Sequence, residues 1–204
     1  MTGIRGGRII DPVSGRDFIG DLILENGTIK AVGEQLNLDG CEDIIEAAGM
    51  TVAPGLVDVH VHFRDPGLTY KEDILTGARA AAAGGFTTVV CMANTKPVVD
   101  NAETLHYVLN KGKETGIHVL SCACVTKGMQ GKELADMDAL RAAGAAGFTD
   151  DGIPILDEEI LKAALIKAEE LQVPVSLHEE DPKLITNNGI NRGPVSEKLG
   201  IGGS

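Results

Sequence analysis

The pattern of apolar residues changes after Pro54-Gly55, and this change constrains the fold of the 204-residue chain more than any other feature. From that point, apolar strand-like runs alternate with stretches of helical pattern. The runs predict strands over 56–63, 86–92, 118–125, 145–149 and 173–178, and the stretches between them predict helices over 72–83, 102–115, 133–143 and 157–171. Repeated β-α units predict a parallel sheet, because a helical crossover joins strands that run in the same direction.

Strand spacing alone does not distinguish an open parallel sheet from a closed (β/α)8 barrel. No G-x-G-x-x-G follows the first strand, so nothing favours a dinucleotide-binding fold. Polar residues collect at the carboxyl ends of the predicted strands, which is where both barrels and open sheets carry their sites. On the residues alone, both architectures fit.

Residues 1–53 have a different sequence pattern, in which short apolar runs are interrupted by Gly, Asp and Asn. Asn26-Gly27 separates the apolar runs 21–24 and 29–32, and Asn-Gly in this setting is the strongest short-range signal for a β-hairpin. Residues 44–47 predict another short strand. We expect a small antiparallel β unit that needs partner strands or packing for its stability.

Composition excludes several classes of function. The formal net charge of -12 would repel nucleic acid over most of the surface. The chain shows no apolar signal region at its start and no stretch that approaches a membrane span. The four cysteines form no C-x-x-C pair, and three lie in apolar runs, which is typical of buried reduced thiols. We therefore expect a soluble cytoplasmic protein without nucleic-acid or membrane partners.

The strongest chemical signal is the series Asp58, His60, His62 and Arg64, which alternates with three apolar residues. Because side chains alternate faces along a strand, the four polar residues are expected on one face, and the apolar residues on the face that packs against helices. Histidines at i and i+2 have Cα atoms about 6.5 Å apart, a span that one metal ion can bridge.

Further polar signals follow later strands, where we find His178, the pair Asp150-Asp151, and Asn94. Each alone has an ordinary structural explanation, such as an Asp-Gly turn after Asp151. Together with the first histidines they stand at the ends of four separate strands, which predicts a single site. Three His and a carboxylate are ligands suited to Zn²⁺ or another first-row divalent ion.

These motifs resemble those of a known family. The sequence PGLVDVHVH at 54–62 resembles the opening motif of the amidohydrolase superfamily. FRDPG at 63–67, MANT at 92–95 and FTDDG at 148–152 are similar to class I dihydroorotase. The resemblance implies an α/β fold in which a small β-sandwich-type segment precedes a metal-dependent (β/α)8 TIM barrel.

The resemblance also implies domain bounds and metal ligands. Residues 1–53 would form the β unit, as part of a composite β-sandwich, and residues 54–204 the first part of the barrel, about five β/α units. The implied cofactor is Zn²⁺, as one or two ions. The first ion would be bound by His60 and His62, the second by His178, and Asp151 would be the shared, catalytically important carboxylate.

Asp151 discriminates within the superfamily. Hydantoinases, dihydropyrimidinases and allantoinases place a carboxylated Lys at the bridging position, and this chain has no Lys between Arg141 and Lys162. Strand alternation would direct only one of Asp150 and Asp151 at the metals. The residues alone do not decide between the two, and the family pattern selects Asp151.

The implied activity is the reversible cyclisation of N-carbamoyl-L-aspartate to L-dihydroorotate in pyrimidine biosynthesis, by a metal-activated hydroxide. Arg64 and Asn94 would hold the carboxylate of this small-molecule substrate. The family continues beyond residue 204, where it supplies another His ligand and an Asp general acid/base, so a truncated chain is expected. The complete protein is expected to be a homodimer and to associate with aspartate transcarbamoylase.

Three alternatives compete with this interpretation. Another cyclic amidohydrolase, acting on hydantoin or allantoin, is disfavoured by Arg64, Asn94 and the absent bridging Lys. A non-catalytic dihydroorotase-like scaffold would have no need of the metal-binding residues. A metal-binding module without chemistry is favoured only by the truncation.

Overall fold

The structure is a computed structural model that describes residues 1–178, 180–185 and 189–201 of the chain. The chain divides into two compact units, Met1–Gly55 and Leu56–Ser204. None of the helices in the described ranges combines the length and the hydropathy that crossing a membrane requires.

A five-stranded mixed sheet forms the first unit. Its strands are β1 (Thr2–Asp11), β2 (Arg16–Glu25), β3 (Thr28–Gly33), β4 (Asp43–Glu46) and β5 (Thr51–Val52). The predicted hairpin is confirmed, because β2 and β3 pair antiparallel around Asn26 and Gly27, whose φ angles are 51° and 75°. Positive φ at both positions is the pattern of a type I′ turn.

The expectation of a purely antiparallel first unit is wrong. β1 pairs antiparallel with β2 but parallel with β4 and with β5. The reason is a return of the chain after β3, which brings Asp43 opposite Thr2 so that β4 starts at the same end as β1. A short apolar run carries no information about the direction in which it will pair.

A five-stranded parallel sheet forms the second unit, with its strands in sequence order. The strands are β6 (Leu56–Val61), β7 (Phe86–Cys91), β8 (His118–Ala123), β9 (Gly147–Thr149) and β10 (Val175–Ser176). The helices are α1 (Ile74–Ala83), α2 (Ala102–Gly112), α3 (Met137–Ala142), α4 (Glu158–Glu170) and α5 (Pro194–Leu199). The first four helices connect consecutive strands, and α5 follows β10. The fold is a partial (β/α)8 barrel, as predicted.

Short polar side chains start the connecting helices. Asn101 accepts a hydrogen bond from the backbone N–H of Thr104, and Asp157 caps α4 in the same way, so both predicted N-caps are confirmed. Helix α3 begins later than predicted, because Asp136 is its N-cap and Leu134, two residues earlier, forms a β-bridge with Thr126.

The core of the second unit is made by side chains of the sheet and of the helices that cover it. Its largest fully buried members include Phe148, Ile74, Leu105, Leu140 and Val89. Burial of such side chains is the main stabilising contribution to a fold of this kind. The thiols predicted to be buried and reduced are free and buried, as expected, at Cys91, Cys122 and Cys124.

The predicted alternation along the first barrel strand holds only in part. β6 ends at Val61, and its register against β7 is irregular between Asp58 and Val61. Phe63 is buried and Val61 packs against the core, but Val59 is 68% exposed. The expectation that Val59 packs against helices is therefore wrong for the described residues, because β6 is an edge strand of their sheet.

Candidate metal centre

The polar side chains singled out in the sequence converge at one edge of the parallel sheet. His60 lies in β6 and His62 directly after it, while Asp151 and His178 lie two residues beyond β9 and β10. The carboxyl ends of parallel strands share one edge, so residues far apart in sequence come together there.

His60, His62 and Asp151 form a close cluster. The two Nε2 atoms of the histidines lie 3.3 Å apart. Oδ2 of Asp151 lies 3.6 Å from Nε2 of His60 and 3.4 Å from Nε2 of His62. The ligand atoms of the three residues lie within 4.8 Å of one another. Two imidazole nitrogens and a carboxylate oxygen that lie within 3.6 Å of one another are a donor set that fits a divalent transition metal.

His178 approaches the same carboxylate from its other side. Its Nδ1 lies 3.5 Å from Oδ1 of Asp151, and its Nε2 lies 2.9 Å from Oε2 of Glu180. The hydrogen bond with Glu180, and secondarily the one with Asp151, raises the pKa of His178. Asp151 thus directs one oxygen at the His60–His62 pair and the other at His178.

Glu180 was not identified from the sequence as a site residue. Its position two residues after His178 was the only available signal, since i and i+2 share a face in an extended chain.

The side chain of Asp150 lies in different surroundings from that of Asp151. Its side chain accepts hydrogen bonds from the backbone N–H groups of Val125 and Thr126, at 2.9 and 3.2 Å, and from the Thr126 hydroxyl. Burial raises the pKa of Asp150, although these hydrogen bonds oppose the shift. Asp150 therefore holds the segment after β8, and the structure places Asp151 among the histidines.

Asn94 lies three residues beyond β7 and contacts two members of the cluster. Its Oδ1 lies 3.0 Å from Nδ1 of His62. Its Nδ2 donates to the carbonyl oxygen of Asp151 at 3.2 Å and to Oδ2 of Asp151 at 3.1 Å. The residue predicted to bind substrate is thus in contact with the predicted metal ligands.

Arg64 lies beyond β6 in a backbone conformation that few non-glycine residues adopt, with a φ of 59°. Its carbonyl oxygen accepts a hydrogen bond from the N–H of Leu68 at 2.9 Å. Within the described residues its guanidinium has no hydrogen bond or ion pair. The side chain is therefore available to an anionic ligand.

A buried ion pair follows Arg64 directly. The Asp65 side chain has 0% exposure and accepts from Nζ of Lys111 at 2.5 Å and from the Tyr107 hydroxyl at 2.9 Å. The hydrogen bond from Lys111 to Asp65 is the main cause that raises the pKa of Lys111. The cluster ties the segment after β6 to α2. The sequence offers no signal for it, because Asp65 lies 42 residues from Tyr107 and 46 residues from Lys111.

Comparison with known sequences identifies relatives along the whole chain. The family model "Dihydro-orotase-like" matches residues 49–203. A dihydroorotase of Clostridioides difficile is 57% identical over 100% of this chain and 48% of its own length. One of Clostridium acetobutylicum is 52% identical over the same shares. The chain spans about half the length of the curated relatives it matches.

Comparison with solved structures identifies the same architecture. An L-hydantoinase (dihydropyrimidinase) from Arthrobacter aurescens aligns with a TM-score of 0.74 and 19% identity, over 90% of this chain and 41% of that one. A D-hydantoinase (dihydropyrimidinase) from Thermus sp. aligns with a TM-score of 0.71 and 26% identity over the same shares. The first of these likenesses concerns the fold alone.

Proposed function

We propose, since the chain belongs to the dihydroorotase-like family, that it forms the amino-terminal half of a dihydroorotase, which interconverts L-dihydroorotate and N-carbamoyl-L-aspartate. The observation that carries the proposal is the position of Asp151. Its carboxylate faces His60, His62 and His178 in a segment that has no Lys to serve as a bridge. A dihydroorotase pattern expects an Asp there, whereas a hydantoinase pattern expects a Lys.

The residues that would hold the metal are His60, His62, Asp151 and His178, and we propose Zn²⁺ as the ion. Neutral imidazoles and a carboxylate are common zinc ligands. A bound divalent ion would supply a water molecule activated at neutral pH and polarisation of the ring carbonyl. Asp151 offers its two oxygens to separate partners, which supports a site for one or two ions.

Arg64 is proposed to bind the carboxylate of the substrate. A guanidinium presents a planar fork of donors that matches a carboxylate, and it provides local positive charge on a chain of net charge -12. Asn94 is the second residue that we predict to bind this carboxylate. We expect Arg64→Lys to raise KM about tenfold, equivalent to ~1.4 kcal/mol, because the bidentate contact is lost.

Steady-state kinetics with bound zinc quantified in parallel would check the role of Arg64, with Arg79→Lys on the exposed surface of α1 as the matched control. Unchanged KM in Arg64→Lys, or loss of zinc from it, would contradict the assignment.

The activity itself is tested by the opening of L-dihydroorotate, with hydantoin and allantoin as competing substrates. The zinc-loaded chain would be assayed as it is and joined to the carboxyl-terminal half of the Clostridioides difficile relative. We expect the joined protein to open dihydroorotate only. Preference for hydantoin or allantoin would assign the chain to another cyclic amidohydrolase, and zinc binding without any turnover would favour a scaffold.

The assembly and location of the protein form the last part of the proposal. On the family resemblance, we propose a cytoplasmic homodimer that associates with aspartate transcarbamoylase. Light scattering of the joined protein and co-purification with that enzyme would test the assembly. A monomer without affinity for the transcarbamoylase would contradict it.

A further inference from the structure

Asn94 occupies the space between two groups of the candidate metal centre. Its amide bridges the ring of His62 and the carboxylate and carbonyl of Asp151 through three contacts of 3.0 to 3.2 Å. The side chain is partly buried. These contacts are polar at both ends of the amide, so its orientation has chemical consequences for each neighbour.

The orientation of the amide follows from its two partners on Asp151. Both are oxygen atoms without hydrogen, because one is a backbone carbonyl and the other a carboxylate oxygen. Only the amino group of Asn94 can donate to them, and a flipped amide would set its own oxygen against both. Nδ2 of Asn94 must therefore face Asp151, and Oδ1 must face His62.

The orientation of the amide determines the tautomer of His62. Oδ1 of Asn94 is only an acceptor, so Nδ1 of His62 has to carry the hydrogen in their 3.0 Å contact. A neutral imidazole protonated at Nδ1 has its lone pair at Nε2. Nε2 is the atom that faces the cluster, 3.3 Å from Nε2 of His60 and 3.4 Å from Oδ2 of Asp151. A hydrogen bond to the far nitrogen is the usual means by which proteins orient a metal-binding histidine.

We infer that Asn94 is a positioning residue of the metal centre, which holds His62 in its metal-binding tautomer and orients the carboxylate of Asp151. The inference rests on the proposed metal site but not on the proposed reaction. Both hydrogens of the Asn94 amide are directed at Asp151.

Burial and hydrogen bonds fix the backbone around Asn94, as a positioning role requires. Ala93 is buried, and the Thr95 hydroxyl donates to the carbonyl of Pro97 at 2.7 Å. The N–H of Lys96 donates to the carbonyl of Pro66 at 3.0 Å, which links this loop to the segment after β6. A group that orients others has to be fixed itself, and these bonds fix it.

The tautomer can be read directly in the metal-free chain from long-range ¹H–¹⁵N spectra of protein labelled at histidine. We expect His62 to be protonated at Nδ1 in the wild type, and to lose this preference in Asn94→Ala. Asn94→Asp keeps an oxygen acceptor toward His62 but replaces the donor to Asp151 by a second oxygen, so this variant should retain the Nδ1–H tautomer while it loses both hydrogen bonds to Asp151. Asn110→Ala, at an exposed position of α2, is the matched control and should resemble the wild type.

Zinc affinity is the second readout, measured by competition with a chromophoric chelator. Loss of a partner that orients a metal-binding His lowers metal affinity by about 10- to 100-fold, and we expect a loss in this range for Asn94→Ala and none for Asn110→Ala. Protonation of His62 at Nε2 in the wild type, or zinc affinity of Asn94→Ala within twofold of wild type, would overturn the inference.

Kinetics of the joined protein separate this inference from the proposed function. If Asn94→Ala raises KM for dihydroorotate while zinc affinity and tautomer stay unchanged, Asn94 is a substrate ligand and the inference fails, while the proposed function stands. If the wild type does not open dihydroorotate but the tautomer and affinity change as expected, the inference stands and the proposed function fails.

Discussion

Replacement of Lys111 by Met is expected to destabilise the protein strongly, through the buried carboxylate it leaves behind. Asp65 has 0% side-chain exposure and Lys111 25%, and their charged atoms are 2.5 Å apart. Without Lys111, the donors left to the Asp65 side chain among the described residues are the Tyr107 hydroxyl and the more distant N–H of Ile74, at 3.4 Å. Removing one partner of a buried ion pair costs about 3–5 kcal/mol, and because Lys111 is partly exposed we expect about 3 kcal/mol.

The loss is measured by urea unfolding followed by circular dichroism. Lys113→Met is the matched control, since Lys113 lies at the end of the same helix and its ammonium donates to the exposed Asn110 side chain. We expect the control to change the free energy of unfolding by less than about 0.5 kcal/mol. An equal loss in the two variants would refute the reasoning, because it would show that the Asp65–Lys111 pair contributes nothing specific.

The stability that the Asp65–Lys111 pair contributes is expected to depend on pH. The hydrogen bond to Asp65 raises the pKa of Lys111 above its usual 10.5. A lysine with a raised folded-state pKa contributes stability that is complete below the unfolded value and is lost as pH rises through the folded value. The difference in stability between wild type and Lys111→Met should therefore be constant near neutral pH and shrink above pH 10.5. A difference that grows in alkali would contradict this sign.

Two further predictions concern steric fit and thiol chemistry. Gly67→Ala should lower the free energy of unfolding by clearly more than the ~1 kcal/mol expected for Gly131→Ala. Both glycines have positive φ, but only at Gly67 would a Cβ lie 1.7 Å from the carbonyl oxygen of Lys96. Equal thermal unfolding of the two variants would contradict this. Burial raises the pKa of Cys122 to about 11, so only about 0.1% is thiolate at pH 8. Ellman's reagent should label Cys41 first and the buried thiols only on unfolding; immediate labelling of all four would refute it.

The location of the site could be predicted because parallel β-α units place strand ends together. His62, Asn94, Asp151 and His178 each follow a recognisable apolar run, and the structure brings them to one edge. The choice between Asp150 and Asp151 could not be derived from periodicity, since β9 has only three residues and both carboxylates lie beyond it.

Features that depend on contacts distant in sequence were beyond prediction. The parallel pairing of β4 with β1 depends on where the chain returns, and no local pattern encodes that path. The Asp65–Lys111 pair joins a loop to a helix 46 residues away. The contacts of Asn94 with the metal ligands were likewise beyond prediction, because a family pattern describes which residues are present, whereas hydrogen bonds depend on the positions of His62 and Asp151.

Zinc titration of Asp151→Asn against Asp150→Asn tests the central claim most directly, namely that Asp151 and the strand-end histidines form a metal centre. The two carboxylates are adjacent, but only Asp151 faces the histidines, while Asp150 holds Val125 and Thr126. By isothermal titration calorimetry we expect tight binding by the wild type and by Asp150→Asn, and at least about a tenfold loss in Asp151→Asn. No zinc binding by the wild type, or wild-type affinity in Asp151→Asn, would contradict the claim.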